Sequence, residues 1–347
     1  MRRKQEVTIL DVATAAGLSP STVSRVLNQK GYYSAENEQK VKDAVESLGY
    51  RPSWSARTLK GAPTRVVGLI IPDISNVFYT TLAGALLTRM RVLGYDMILC
   101  VNDEDAHLDL NYLEMLQQKG VDGIFYTHPA HGNNSMPVRR LVAEGMPIVE
   151  LNRQREKNFL DAVLPDNFRG VQQAVEYLAN LGHRRIGFIS GSAQITTGNE
   201  RLLGYQSAIR LLGLDNDPAL LKIGSFTRQH GEQAMAELLT LPNRPTALIA
   251  GSNRISMGAL MVMGQAAIRI PDDMSVIGYN DTEWLTAWNP PITAVDVAVG
   301  EMAQLAVDLL HRRIVGGNGG DSKPVTYHLS TSLIIRQSCW AIAPQAA

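Results

Sequence analysis

Strand and helix patterns alternate from Arg65 to the end of the chain, and this alternation limits the possible folds more than any other feature. "VVGLIIPD" reads as a buried strand, "FYTTLAGALLTRMRVLGY" as a helix and "DMILCVND" as a strand. The series continues through "LNYLEMLQQKGV", "DGIFYTH", "VRRLVAEGM" and "PIVELN". "DAVLPDN" then leads into a second series of helices and strands: "VQQAVEYLANLG", "RRIGFISG", "ERLLGYQSAIRLLG", "LLKIGSF", "GEQAMAELLTL", "TALIAG", "MGALMVMGQAA" and "SVIGYND". A last helix pattern and two closing strands, "VTYHLSTSLIIRQS", complete the run. Such repetition predicts parallel sheets joined by right-handed crossovers. About a dozen strands exceed one ordinary sheet, so two similar α/β lobes are expected. We expect residues 64–164 with 295–326 to form one lobe, and 165–294 with 327–340 the other.

The 347 residues leave room for a further small unit before these lobes. Residues 1–65 carry eleven Lys/Arg against six Asp/Glu, while the remainder carries twenty-two against twenty-seven. A basic head on a mildly acidic body points to a polyanionic partner for the head. Cys100 and Cys339 lie in apolar runs with no metal-ligand spacing, as expected of buried thiols in a reducing compartment. No apolar run of signal-peptide length follows "MRRKQEVTIL", and no segment has 18 consecutive apolar residues. The expectation is a cytoplasmic protein with no membrane partner.

The head contains three short helix patterns, forming residues 1–50. The first starts at Thr8, with Asp11 completing an acidic capping box and Gly17 able to end the helix. The second runs from Ser19 to about Leu27. The third starts at Ser34, sets Val41, Ala44, Val45 and Leu48 on one face and ends at Gly49. Two short helices joined by a tight Gly-containing turn fit a helix-turn-helix. In the second helix Val23, Val26 and Leu27 face inward, leaving Ser21, Thr22 and Arg25 outside. Short polar residues allow close entry into a DNA major groove, and an arginine reads guanine bidentately. A small helical bundle with a solvated face fits the same pattern.

"TILDVATAAGLSPSTVSRVLN", followed by "VKDAVESLGYRP" and "SARTLKG", closely resembles the LacI/GalR family of bacterial repressors. The resemblance extends over essentially the whole chain. It implies an α plus α/β fold: an N-terminal helix-turn-helix three-helix head, a hinge helix within residues 51–63, and a two-lobed type I periplasmic-binding-protein-like α/β module. It implies a homodimer bound to palindromic operator DNA. Pro20 and Ser21 occupy the family's sequence-selecting positions and Arg25 its shared base reader. Thr8, Ser19, Thr22 and Ser24, hydroxyls suited to phosphate contact or capping, stand with them as DNA-binding positions, as does Asn28. Family members commonly have Thr-Arg where this chain has Asn37-Glu38; an acidic residue near DNA is unfavourable, so that edge is expected either to sit away from the DNA backbone or to bind less tightly.

"SWSARTLKG" makes about two helical turns, too short to be stable alone in water. Its resemblance to the family hinge implies a helix that orders on DNA, with Leu59 wedged into the minor groove and Arg57 and Lys60 at phosphates. Only seven residues follow Trp340, too few for a tetramerising heptad bundle.

A two-lobed α/β body binds small molecules beyond the C-terminal ends of its strands. The candidates there are Phe78, Tyr79, Asn152, Arg153, Thr197, Arg201, Phe226, Ser252, Asn253 and Asn280. In the family an arginine at the Arg201 position typically grips ligand hydroxyls or a carboxylate. Many relatives carry aspartate where this chain has Asn253 and Asn280. Amides there, with Arg153 and Arg201 nearby, suit a sugar acid or sugar phosphate, and amides bind a neutral sugar equally well. The purine-sensing branch has an arginine where this chain has Ile195. The expected effector is therefore carbohydrate-like, and by family analogy it releases the operator.

Nothing calls for an enzyme, a cofactor or a metal. "GFISG" is not a nucleophile elbow, and His128 and His131 make a lone H-x-x-H with no third ligand in view. "GGNGGD" at 316–321 has no strand leading in and no helix leading out, unlike a phosphate loop. A periplasmic sugar receptor would share the body but not the head.

Overall fold

A computed structural model describes residues 7–27, 31–50, 63–132, 134–316 and 323–342. The chain divides into two compact units, Met1–Thr64 and Arg65–Ala347.

The first unit holds α1 (Ile9–Ala16), α2 (Pro20–Leu27) and α3 (Ala35–Leu48). Thr8 starts α1 through a reciprocal cap. Its amide donates to Asp11 Oδ2 at 2.7 Å, and its hydroxyl accepts from the Asp11 amide at 3.4 Å. Gly17 ends the helix at φ 64°, a left-handed conformation that glycine adopts without strain. Ser19 caps α2 by accepting the Thr22 amide at 3.2 Å, and Pro20 takes the first helical position, where a missing N–H costs nothing. Ser34 and Gly49 bound α3. Val12, Val23, Val26, Val41, Ala44 and Tyr50 form the buried core that holds the three helices together. Fully burying each of these valines contributes about 1.5–3 kcal/mol, which is how such short helices hold.

The second unit contains two six-stranded sheets. The first has β1 (Val66–Ile71), β2 (Asp96–Val101), β3 (Gly123–Tyr126), β4 (Ile148–Leu151), β5 (Asp161–Pro165) and β11 (Thr326–Leu329), in the order β11-β5-β4-β3-β1-β2. The second has β6 (Ile186–Ser190), β7 (Leu221–Ile223), β8 (Ala247–Ala250), β9 (Ser275–Tyr279), β10 (Thr293–Val297) and β12 (Thr331–Ile334), in the order β12-β10-β9-β8-β6-β7. The two orders are the same topology repeated. They differ at the last strand: β11 pairs parallel with β5, whereas β12 pairs antiparallel with β10.

Helices cover both faces of each sheet, which is why strands such as β1 are apolar and buried throughout. In the first lobe these are α4 (Val77–Val92), α5 (Ala106–Gln118) and α6 (Ser135–Ala143). In the second they are α7 (Asn167–Asn180), α8 (Thr196–Leu211), α9 (Arg228–Leu239), α10 (Asn253–Gln265) and the short α11 (Glu283–Ala287). The final helix, α12 (Val299–Gly316), returns to pack on α4, β3, β4 and β5 of the first lobe.

The chain therefore passes between the sheets three times, at 165–167, 297–299 and 329–331. The later two crossings fall a few residues beyond the expected 294/295 and 326/327. β10 runs to Val297 inside the second sheet before α12 begins, and β11 runs to Leu329 inside the first. "DAVLPDN", read as a lead-in, is strand β5: Asp161 and Pro165 at its ends disguise a segment buried at every position. Both cysteines are free, Cys100 buried and Cys339 partly so.

Candidate functional site

The outer face of α2 is polar and open: Ser19, Pro20, Ser21 and Arg25 are exposed, Thr22 and Ser24 half-buried, while Val23 and Val26 face the core. The hydroxyls of the first turn are linked. Ser19 Oγ lies 2.9 Å from both Ser21 Oγ and Thr22 Oγ1, and Arg25 Nε donates to the Ser21 carbonyl at 3.4 Å. These bonds fold the side chains onto the helix, and base contact requires exchanging them. The Thr8 hydroxyl also donates to Asp11 Oδ2 at 2.7 Å, so it acts as a cap. Glu38, singled out as unfavourable near DNA, is paired with Lys42 at 2.8 Å, and Glu36 with Lys40 at 2.7 Å. Both pairs are solvent-exposed and contribute little stability, but they neutralise that face of α3. Tyr32, just before α3, is 91% exposed, whereas Tyr33 and Tyr50 are covered to a greater degree, and it escaped the sequence reading. Its only sequence signal is an aromatic outside any apolar period. Asn28, Arg57, Leu59 and Lys60 lie outside the described residues, as does the expected hinge helix.

In the second unit a cleft of about 320 Å³ opens between the two sheets, at the C-terminal ends of their strands. Nine of the ten expected residues line it: Phe78, Tyr79, Asn152, Arg153, Thr197, Arg201, Phe226, Ser252 and Asn280. The tenth, Asn253, does not. It is buried at the N-terminus of α10 and donates from Nδ2 to Asn76 Oδ1 across the lobes at 3.0 Å. Asn76 has its own local task, since its Oδ1 also caps α4 through the Phe78 amide at 3.1 Å. Arg254 Nε stands 3.9 Å from Asp73 beside this bridge. The sequence reading did not include Asp73, Asn76, Asp103, Glu104, His131, Ser192, Ser225 or Thr227, which also line the cleft.

The backbone places the two amides symmetrically. Asn152 follows β4 at φ 64° and Asn280 follows β9 at φ 65°. The left-handed region is uncommon for a side chain other than glycine, and asparagine is among the few residues that tolerate it. Each turn swings an amide into the cleft where its strand ends. Asn152 Nδ2 donates to the Tyr79 hydroxyl at 3.1 Å, fixing both. Opposite, Phe226 flanks the Arg201 guanidinium at 5.5 Å, its ring lying where a side chain on Gly191 would have to be.

The two arginines are held differently. Arg201 rests on the Tyr279 ring at 3.7 Å and donates from Nε to Asn167 Oδ1 at 2.9 Å and from Nη1 to the Gly251 carbonyl at 2.6 Å. Asn167 in turn donates to Glu200 Oε2 at 2.9 Å, so a carboxylate stands one amide away. Burial lowers the Arg201 pKa, against the opposing pull of Tyr279. Arg153 instead makes a two-pronged bond to Glu104, Nη1 at 2.9 Å and Nη2 at 2.8 Å, and Nη1 also donates to the His128 carbonyl at 3.1 Å. Burial would raise the Glu104 carboxyl, but Arg153 and the Ala130 amide outweigh it and hold it below the usual carboxylate range.

Behind the Arg153 wall lies a pocket of about 20 Å³, lined by residues that include Tyr126, His128, Glu150 and Arg155. Burial pushes the Glu150 carboxyl up to about 8, opposed by the Arg155 amide and charge, and pushes the His128 imidazole down to about 4, aided by Arg153 and Arg155. His128 therefore faces the lobe interior, whereas His131 is exposed at the cleft. Between the unfolded carboxyl value and about 8 the folded state keeps a Glu150 proton that the unfolded state releases, so stability falls as pH rises through this window. His128 acts oppositely, but only between about 4 and its unfolded value near 6.5. The slope from Glu150 is therefore unopposed by His128 from about pH 6.5 to 8. Glu150→Gln, which keeps the neutral shape, should raise the melting temperature at pH 8 and leave it near wild type at pH 5. Equal melting temperatures at pH 8 in a denaturation series would contradict the assignment.

Comparison with known proteins places both units. The family profile for bacterial regulatory proteins of the lacI family matches residues 8–53, and a periplasmic binding protein-like domain profile matches residues 175–339. The HTH-type transcriptional regulator DegA of Bacillus subtilis is 34% identical over 86% of this chain and 88% of its own. The ribose operon repressor of Escherichia coli K12 is 33% identical over 88% of this chain and 93% of its own. The solved complex of the transcriptional regulator CelR with cellobiose superposes with a TM-score of 0.71 at 29% identity, covering 96% of this chain and 100% of that one. With its helix-turn-helix head and its doubled α/β body, the chain belongs to the LacI family of bacterial transcriptional regulators.

Proposed function

We propose that the protein is a cytoplasmic, homodimeric repressor, not an enzyme, and that a small carbohydrate-type effector bound between its lobes controls its grip on operator DNA. The observation that carries this reading is the cleft of about 320 Å³ at the ends of both sheets, walled by amides, hydroxyls, two buried arginines and the Phe226 ring. Hydrogen-bonding groups at both poles and an aromatic flank suit a sugar, whose ring has polar edges and apolar faces. The sugars named with relatives, ribose for one and cellobiose for another, support the class. Among the described residues no helix is long and apolar enough to cross a membrane.

The chain is organised as a head to about residue 50, a hinge over 51–63, and the two lobes. Exposed apolar residues support the dimer: Ile74, Val77, Val92 and Leu99 lie on or beside the α4–β2 edge, Ile223 on the β7 edge and Met261 on α10. Each β2 and β7 strand ends its sheet. Two heads one helical turn apart fit a two-fold operator. Ser19, Pro20, Ser21, Thr22, Ser24 and Arg25 face the DNA, with Asn28 and the hinge residues completing the contact. Effector draws the lobes together and weakens operator binding.

The test is fluorescence anisotropy on an inverted repeat taken from upstream of the gene. Specific binding is expected at about 10⁻⁸–10⁻¹¹ M, with two chains per site and a steep loss of affinity with salt. Binding equal to that of scrambled DNA at every salt concentration would refute it.

A further inference from the structure

We infer that the effector of this chain carries no net negative charge, and that Glu104 is the residue that sets this preference. The inference rests on the carbohydrate reading above and narrows it. Two buried arginines line the cleft and on their own would invite an acid or a phosphate. The Arg153 charge is paired directly, and the Arg201 charge is offset only at one remove. Both terminal nitrogens of Arg153 are taken by the Glu104 carboxylate, at 2.9 and 2.8 Å. Arg201 is linked through the Asn167 amide to the Glu200 carboxylate, each link at 2.9 Å. Two further carboxylates, Asp73 and Asp103, stand on the cleft lining, against one more distant arginine, Arg254 at 3.9 Å from Asp73.

An anionic group entering here would meet a lining with three carboxylates, Asp73, Asp103 and Glu104, against two arginines, and it would lose its hydration in doing so. That combination is costly in a partly desolvated cleft. A hydroxyl meets the opposite situation. It hydrogen-bonds to the cleft amides and hydroxyls of Asn152, Thr197, Ser252 and Asn280 without needing an unpaired cation and without disturbing the Glu104 fork. Glu104 is held in this role at a backbone cost. Its φ of 60°, directly after Asp103 at 48°, is a left-handed conformation that glutamate rarely adopts.

Calorimetry on the full-length protein tests this with matched probes. These are ribose against ribose 5-phosphate, glucose against glucose 6-phosphate, gluconate and glucuronate, and cellobiose by itself. The neutral member of the responding set should bind wild type at least ~10-fold more tightly, equivalent to ~1.4 kcal/mol. In Glu104→Gln, which frees the Arg153 charge, the gap should close to within about threefold or reverse. Tighter or equal binding of the anionic member to wild type would overturn the inference. An unchanged gap in Glu104→Gln, with its thermal melt showing a folded protein, would overturn the assignment to Glu104. If wild type takes up no sugar of either kind, the carbohydrate reading itself fails and this inference with it.

Discussion

Arg25→Ala should lower affinity for the specific operator by about 10- to 100-fold, the ~1–3 kcal/mol that a bidentate base contact contributes. Affinity for random DNA should change far less. Arg25 is exposed on the outer face of α2, on the helix side opposite Val23 and Val26. Its only side-chain hydrogen bond among those described is a long one to the Ser21 carbonyl, 3.4 Å, so the free head gives up little when the guanidinium turns toward a base. The head should remain folded in the variant, because its core consists of other residues. Neighbouring Pro20 offers a base no hydrogen bond, only apolar contact, which places more of the discrimination on Ser21 and Arg25. Anisotropy titrations against specific and scrambled duplexes separate the outcomes. An equal loss on both sequences would make Arg25 a phosphate contact instead.

The second large effect is expected at Arg201. Arg201→Ala removes the group that joins the Tyr279 ring, Asn167 and the Gly251 carbonyl; Asn167 Oδ1 keeps the Tyr279 hydroxyl at 3.1 Å, and the buried Gly251 carbonyl loses its side-chain donor. Hydrogen bonds to charged groups contribute ~1.5–3 kcal/mol each, so effector affinity should fall by ~100-fold or more if two are made to ligand. Arg201→Lys serves as the control, since it keeps the charge and loses the planar fork. Both variants should still bind operator, which the head contacts, and should no longer respond to effector. Effector affinity in Arg201→Ala equal to wild type would remove Arg201 from the site.

Much of this molecule was legible beforehand because periodicity and capping are local. Thr8 with Asp11, Ser34 and Gly49 announced the helix ends, and the apolar runs announced all of the strands but β5 and β10, the latter running straight on toward the last helix pattern. Strand β5 was missed since Asp161 and Pro165 imitate a loop, whereas Asp161 in the fold is anchored by Arg313, Nε to Oδ2 at 2.7 Å. Cleft residues directly beyond strand ends, such as Asn152 and Asn280, could be read from topology alone. Glu104 could not: its partner lies 49 residues away, and the turn that aims it has no glycine to mark it. Asn253 shows the reverse limit. It stands at a strand-to-helix junction like the others, but the lobes bring Asn76 within 3.0 Å, and the amide is used to bridge them. Which of two polar partners claims a side chain is decided by lobe geometry, which no local pattern contains.

If occupancy of the cleft controls operator binding, one titration shows it. Operator affinity is measured by anisotropy at fixed salt, with and without a saturating concentration of the sugar identified by calorimetry. The sugar should weaken operator binding by about 5- to 150-fold, a coupling of ~1–3 kcal/mol, and operator DNA should weaken sugar binding by the same factor. Identical operator affinity with the cleft empty and full would contradict it.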